Sequence, residues 1–216
     1  MHVVVAGANG AIGRHLLTEL VDAGHTPIAL IRDEGQAAEL RELGAEPRLA
    51  DLSDDGVGDV VEGADAVIFS AGAGPGSGAG PKVTVDLEGA VKLIEGCERH
   101  GVDRYVMVST MGADDPSEGP ESMQAYLVAK AGADARLRRS ELQWTIVRPG
   151  SLTDDDPAGT VDAAAPSLGR RGEISRADVA AVLAAVLAEP QTAGVSFEVL
   201  AGDTPAAEAV AALASA

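Results

Sequence analysis

Two residues in this chain have the type and spacing to move a proton. Tyr126 and Lys130 stand four apart in Tyr126-Leu127-Val128-Ala129-Lys130, so on a helix they share one face. A phenol alone is a poor acid–base group at neutral pH. An ammonium beside it favours the phenolate and makes proton exchange feasible. The chain has 2 tyrosines, and its only lysines are Lys82, Lys92 and Lys130, so abundance does not explain the pairing. Ser109 or Thr110, after the apolar run Val106-Met107-Val108, offers a hydroxyl to hold a reacting oxygen. Strand alternation puts the two on opposite faces and leaves open which points inward. The structural alternative is a helical core tyrosine beside a surface lysine.

A second pattern suits a diphosphate. Val3-Val4-Val5-Ala6 reads as a buried strand. Gly7, Gly10 and Gly13 follow at three-residue spacing, with a helical pattern starting at Arg14. The first glycine permits a tight turn, the second lets backbone approach phosphate, and the third lets helix pack on strand. Free N–H groups and the helix dipole then face the anion. Gly7, Asn9, Gly10, Ala11, Ile12 and Gly13 are therefore the expected diphosphate cradle. The ribose-reading position, about 20 residues further on, falls at Arg32. A guanidinium there suits a 2′-phosphate, so NADP is expected over NAD, unless Asp33 turns inward; a solvated surface arginine is the alternative. Asp51 could accept from an adenine amino group with Leu52 beside the ring, or serve as a turn or cap residue. Ser70, Ala71 and Gly72 are small enough to admit the nicotinamide-side ribose. Lys130 could also bond that ribose.

These motifs need a frame. Strands are predicted at 2–6, 27–31, 46–50, 66–70, 104–109, 143–147 and 195–200. Helices are predicted at 11–23, 35–43, 82–100, 122–140, 176–188 and 205–214. Alternating strands and helices mean an α/β fold, a doubly wound parallel sheet in three αβα layers. Ligands bind such sheets at the strands' C-terminal ends, where the motifs fall. One domain is expected over 1–216, with a minimal substrate region at about 149–175. The glycine-rich stretch 72–80 reads as a mobile cleft rim, with a passive spacer as the alternative, and loops 111–121 and 149–172 as substrate cover. Ser175-Arg176-Ala177-Asp178 reads as a helix-capping pair.

Bulk properties narrow the partners. The chain has 216 residues, 46% of them hydrophobic but only 2% aromatic, so aliphatic side chains must fill one core. Cys97 is the only cysteine, which excludes an internal disulfide and suits the reducing cytoplasm. With a strand starting this early, no targeting segment is expected. The longest apolar run, 179–188, is too short to span a bilayer. A net charge of −18 argues against nucleic acid and anionic membranes as partners. A small-molecule substrate, and a monomer or small homo-oligomer, are expected. No His or Cys spacing suits a metal. The acidic, lysine-poor, alanine-rich composition is similar to that of proteins from salt-loving organisms; a merely acidic mesophilic protein is the alternative. Thermal unfolding is accordingly expected at lower temperature in dilute buffer than in molar salt, where self-repulsion is screened; equal stability in both would refute this.

Gly7-x-x-Gly10-x-x-Gly13, the Val108-Ser109-Thr110 strand end, Tyr126-x-x-x-Lys130 and Thr145-Ile146-Val147-Arg148-Pro149-Gly150 together resemble the short-chain dehydrogenase/reductase superfamily. The glycine spacing and the Arg-Pro-Gly turn are similar to its extended and atypical branches, the epimerase/dehydratase and NmrA-like proteins. The ending Phe197-Glu198-Val199-Leu200-Ala201-Gly202-Asp203-Thr204-Pro205 is similar to small NAD(P)-binding members. The resemblance spans the chain. It implies a Rossmann fold, an NADP-type cofactor and a catalytic set of Ser109 or Thr110 with Tyr126 and Lys130. It also implies Pro149 and Gly150 beside the nicotinamide, although Pro149 could equally be structural. The implied activity is hydride transfer to or from a small carbonyl-like compound. An epimerase or dehydratase is the first alternative, though extended members carry a longer C-terminal substrate region. The second is a non-catalytic NADP-binding redox sensor.

Overall fold

The structure, a computed structural model, describes residues 1–74 and 78–214. Of the expected rim at 72–80, Pro75, Gly76 and Ser77 lie outside the described residues. In chain order the strands are β1 (His2–Ala6), β2 (Thr26–Ile31), β3 (Glu46–Leu49), β4 (Ala66–Phe69), β5 (Arg104–Val108), β6 (Gln143–Pro149), β7 (Ser151–Thr153), β8 (Thr160–Ala164), β9 (Glu173–Ser175), β10 (Val195–Ala201) and β11 (Thr204–Pro205). The helices are α1 (Ala11–Asp22), α2 (Ala37–Glu42), α3 (Ala79–Pro81), α4 (Ala90–His100), α5 (Glu121–Arg138), α6 (Arg176–Ala188) and α7 (Ala206–Leu213), with π-helical Lys82–Gly89 joining α3 to α4.

The main sheet has the order β11-β8-β10-β6-β5-β4-β1-β2-β3 among the described residues. Every pairing from β3 across to β10 is parallel. The chain runs outward from β1 to β3, then returns to place β4 on the other side of β1. That reversal opens a crevice above β1 and β4, where a doubly wound sheet takes its ligand. This is the Rossmann arrangement.

The apolar pattern of β1 explains its central place. Val3 and Val5 face one core, with Leu16, Leu17 and Leu20 of α1, Val179 and Leu183 of α6 and Val210 of α7. Val4 and Ala6 face the other, with Leu93 and Ile94 of α4 and Leu137 of α5. Only a strand buried on both faces can use an unbroken apolar run. Each such aliphatic side chain stabilises the fold by about 1.5–3 kcal/mol. Cys97 lies in the second core, where burial pushes its thiol up to about 12.

The region 149–172 departs from the expected loop. β8 pairs antiparallel with β10, Val199 opposite Ala163, and β7 and β9 form a separate two-stranded sheet. β8 is five residues long, and Val161 is its fully buried side chain, too little alternation to register as a strand. Its pairing comes from the edge that β10 offers. The Ser175–Asp178 cap forms as expected: Ser175 Oγ accepts from the Asp178 N–H at 2.9 Å. The Asp178 carboxylate does more, accepting from the N–H groups of Ala158 at 3.1 Å and Gly159 at 2.8 Å. It thereby fixes the approach to β8. No helix of the described residues is long and apolar enough to cross a membrane.

Candidate functional site

β1 delivers the chain to Gly7, whose φ of 84° is left-handed. A side chain there would also strike β4's exit, since a Cβ would lie 2.6 Å from the Ala71 nitrogen. The loop closes when the Gly10 N–H donates to Gly7 O at 2.9 Å. α1 then starts tight against the loop: a Cβ on Gly13 would lie 2.2 Å from Gly7 O. No side chain caps α1, and no acid occupies its first turn. Its N-terminal N–H groups are left for an anion. Asn9 is held from outside by the Arg14 guanidinium, which donates to its Oδ1 at 2.8 Å and pairs with Glu39 of α2 at 2.9 Å.

Above this loop lies a cleft of about 340 Å³. Gly7, Asn9 and Gly10 form one wall, Arg32, Asp51 and Leu52 another, and Ser70, Ala71 and Gly72 the floor. Ile12 and Gly13 are buried behind the loop, while Ala11 is exposed. Arg32 is exposed at the rim. Asp33 turns to its own chain, its Oδ1 accepting from the Gly35 N–H at 2.8 Å to cap the short helix Glu34–Gln36. Asp51 also makes a local turn, accepting from the N–H and hydroxyl of Ser53 at 2.8 and 2.7 Å. The Ser53 N–H, foremost, holds the Asp51 carboxyl below its usual range. Ser70 donates to Ala6 O at 2.9 Å. Pro149 and Gly150 do not line this cleft; a Cβ on Gly150 would meet Leu200 and Gly172 O. The cleft adds Gln36 and Val85, for which the sequence carries no signal.

α5 carries Tyr126, Lys130, Asp134 and Arg138 at four-residue intervals along one face. Lys130 is 3% exposed, so its charge needs partners. Its ammonium donates to Val108 O at 3.1 Å and Ala71 O at 3.4 Å, and pairs with Asp86 Oδ1 at 3.3 Å. It thus sits between the ends of β4 and β5, touching the cleft floor. Tyr126 is half-buried beside it. The Lys130 nitrogen lies 5.8 Å from the tyrosine ring centre, and the Lys82 nitrogen 5.1 Å from it. Sequence reasoning missed Asp86, although a signal existed. Asp86 lies on the stripe that continues through Ala90, Leu93 and Cys97, all fully buried. An acid on an apolar stripe needs a cation.

One turn further along α5 is a second buried cluster. Asp134 Oδ2 accepts from Ser109 Oγ at 3.0 Å and from Arg148 Nη2 at 2.8 Å. Arg148 also forks onto Asp114 through both terminal nitrogens. Burial would lower the Arg148 pKa, but the hydrogen bonds to Asp114 and Asp134 more than offset it and raise it. Ser109, 2% exposed, is thus tied into this cluster. Thr110 is half-buried, and its hydroxyl makes only a long contact of 3.4 Å to Met111 O. The geometry brings Tyr126, Lys130, Ala71 and Gly72 together and draws the Ser109 hydroxyl to Asp134.

A parallel sheet with a glycine-turned, uncapped helix beneath a cleft at its switch point defines a dinucleotide-binding protein. The chain belongs to the NAD(P)H-binding family, whose profile matches residues 7–190. It is 41% identical over 213 residues to YhfK of Bacillus subtilis (strain 168), named an uncharacterised sugar epimerase, covering 97% of this chain and 99% of that one. A solved structure from Bacillus halodurans, provisionally named an NAD-dependent epimerase/dehydratase, superposes with a TM-score of 0.95 at 45% identity, covering 99% and 100% of the two chains. The oxidoreductase ylbE from Lactococcus lactis superposes at 0.89 with 26% identity, covering 100% of this chain and 98% of that one. The family is oxidoreductase- and epimerase-like and uses a nicotinamide nucleotide.

Proposed function

We propose that this chain is an NADP-dependent oxidoreductase of the short-chain type, acting on a small carbonyl-like substrate. The observation that carries the reading is the half-buried Tyr126 ring, whose centre lies 5.1 Å from the Lys82 ammonium and 5.8 Å from the Lys130 ammonium. Lys130 reaches from that ring to the floor of the cleft through Ala71 O.

When bound, the nicotinamide supplies a hydride donor or acceptor at its C4 carbon. The residues of the chain do the rest. Main-chain N–H groups at Gly7–Gly13 take the diphosphate. Arg32, with Asp33 engaged in its own cap, is free to take a 2′-phosphate. Thr110 holds the substrate oxygen, because the Ser109 hydroxyl is spent on Asp134. Tyr126 gives or takes the proton. Asp86 holds Lys130 against the strand ends, which fixes the ammonium beside the phenol.

Calorimetry with both nucleotides, then a panel of aldehydes, ketones, quinones and flavins with NADPH, tests this directly. NADPH oxidation by some panel member is expected; binding of neither nucleotide by folded protein would overturn the reading. Arg32→Ala should weaken NADP about ten- to a hundredfold, the loss of charge-assisted hydrogen bonds of about 1.5–3 kcal/mol. NAD should weaken little, and an equal loss for both would show that Arg32 does not read the phosphate. The relatives named as epimerases favour a second reading, in which oxidation is transient. That reading requires turnover without net change in NADPH absorbance.

A further inference from the structure

A second cavity, of about 310 Å³, opens at the loop that directly follows Thr110. Met111 and Gly112 form its inner wall, Ser167, Arg170 and Arg171 come from the β8–β9 connection, and Glu198 comes from β10. Met111 directly follows Thr110. Gly112 sits between Leu127, the neighbour of Tyr126, and Arg171: a Cβ there would be 3.8 Å from Leu127 Cδ2 and 3.9 Å from Arg171 Nη2.

The charges lining this cavity are unequally matched. Glu198 Oε2 accepts from the Ser167 hydroxyl at 2.7 Å and the Leu168 N–H at 2.8 Å, and so pins the connection. Arg170 is paired with Asp162. Arg171 makes no hydrogen bond or ion pair with any described residue, although the chain holds 34 acids against 16 basic residues. The segment bearing it is anchored on both sides, by Glu198 before it and by Gly172 O after it, which accepts from the Ser151 N–H at 3.0 Å. A guanidinium on an anchored segment, without a carboxylate and lining a cavity beside the reacting residues, is arranged to receive an anion from outside. Its charge also opposes the field of −18 that would otherwise repel one.

We infer that the substrate carries an anionic group, a carboxylate or phosphate, which Arg171 receives through its forked N–H groups. That contact turns the other end of the molecule toward Thr110 and Tyr126. The inference rests on the oxidoreductase reading and adds its substrate class.

Calorimetry on protein saturated with NADP, at constant ionic strength, tests this with three probes built on one phenyl ring: benzoate, phenyl phosphate and the neutral benzamide. At least one anion is expected to bind about tenfold or more tighter than benzamide, a difference of about 1.4 kcal/mol. Whichever anion binds tighter identifies the group. Arg171→Gln should abolish the preference and leave NADP affinity unchanged. Equal binding of all three probes, a preference that survives Arg171→Gln, or no binding of any probe at about 10 mM would overturn the inference. NADP affinity measured in the same preparation separates the two claims. If NADP binds and the anions fail, only the substrate class falls. If NADP itself does not bind, the oxidoreductase reading falls with it.

Discussion

Tyr126→Phe is expected to lower kcat about 10²–10⁴-fold, the usual contribution of a positioned acid–base group, while the NADP dissociation constant stays nearly unchanged. The substitution removes one oxygen from a half-buried ring and leaves the ring beside Lys82 and Lys130. Lys130 keeps Asp86 and its two strand-end carbonyls, none of which involves the phenol. Packing and cofactor site are therefore preserved, and only proton transfer is lost. Calorimetry for NADP and steady-state kinetics on the same preparation separate these effects. Retained turnover would remove Tyr126 as proton donor. A protein that only senses NADP would bind cofactor and partner identically with either residue.

Arg148→Met should cost about 3–5 kcal/mol of stability, the range for removing one partner of a buried ion pair. Arg148 is 2% exposed and Asp134 is fully buried, so its loss leaves the Asp134 charge with only the Ser109 hydroxyl and the Arg138 guanidinium, 3.9 Å away. Urea unfolding measures the loss, and a change below about 1 kcal/mol would mean the cluster is not energetically coupled. Adding Asp134→Leu should recover much of it, because a buried apolar pair of similar volume replaces an ionic one at little cost. The acid limb should change as well. The hydrogen bond from Arg148, before any other cause, holds the Asp114 carboxyl below its usual value of 3.8. A depressed folded pKa adds stability that is present above 3.8 and lost as pH falls through the lowered value. The Arg148→Met variant should lack that part of the acid-induced loss.

The two buried clusters show where a one-dimensional reading stops. Tyr126 and Lys130 could be paired by counting because both lie on one helix, and helical geometry fixes neighbours at four residues. Ser109 and Thr110 could not be separated, since the choice depends on what packs above β5. The presence of Asp134 on α5, joined to Arg148 from β6, draws the serine hydroxyl onto that carboxylate. Similarly, Asp33 could not be assigned until its Oδ1 was found capping its own turn.

Local pattern was sufficient for the parallel core, the glycine loop and the helix cap at Ser175, because strand burial, tight turns and capping are each decided within about a dozen adjacent residues. The composition was sufficient to expect one core filled by aliphatic side chains. Tertiary structure alone placed β8 against β10, drew Asp86 to Lys130, and brought Arg171 beside the residues that follow β5. Those contacts join segments far apart in the chain. Their partners are selected by which edges and charges remain unsatisfied once the sheet has assembled, and that is a property of the packed molecule rather than of any stretch of residues.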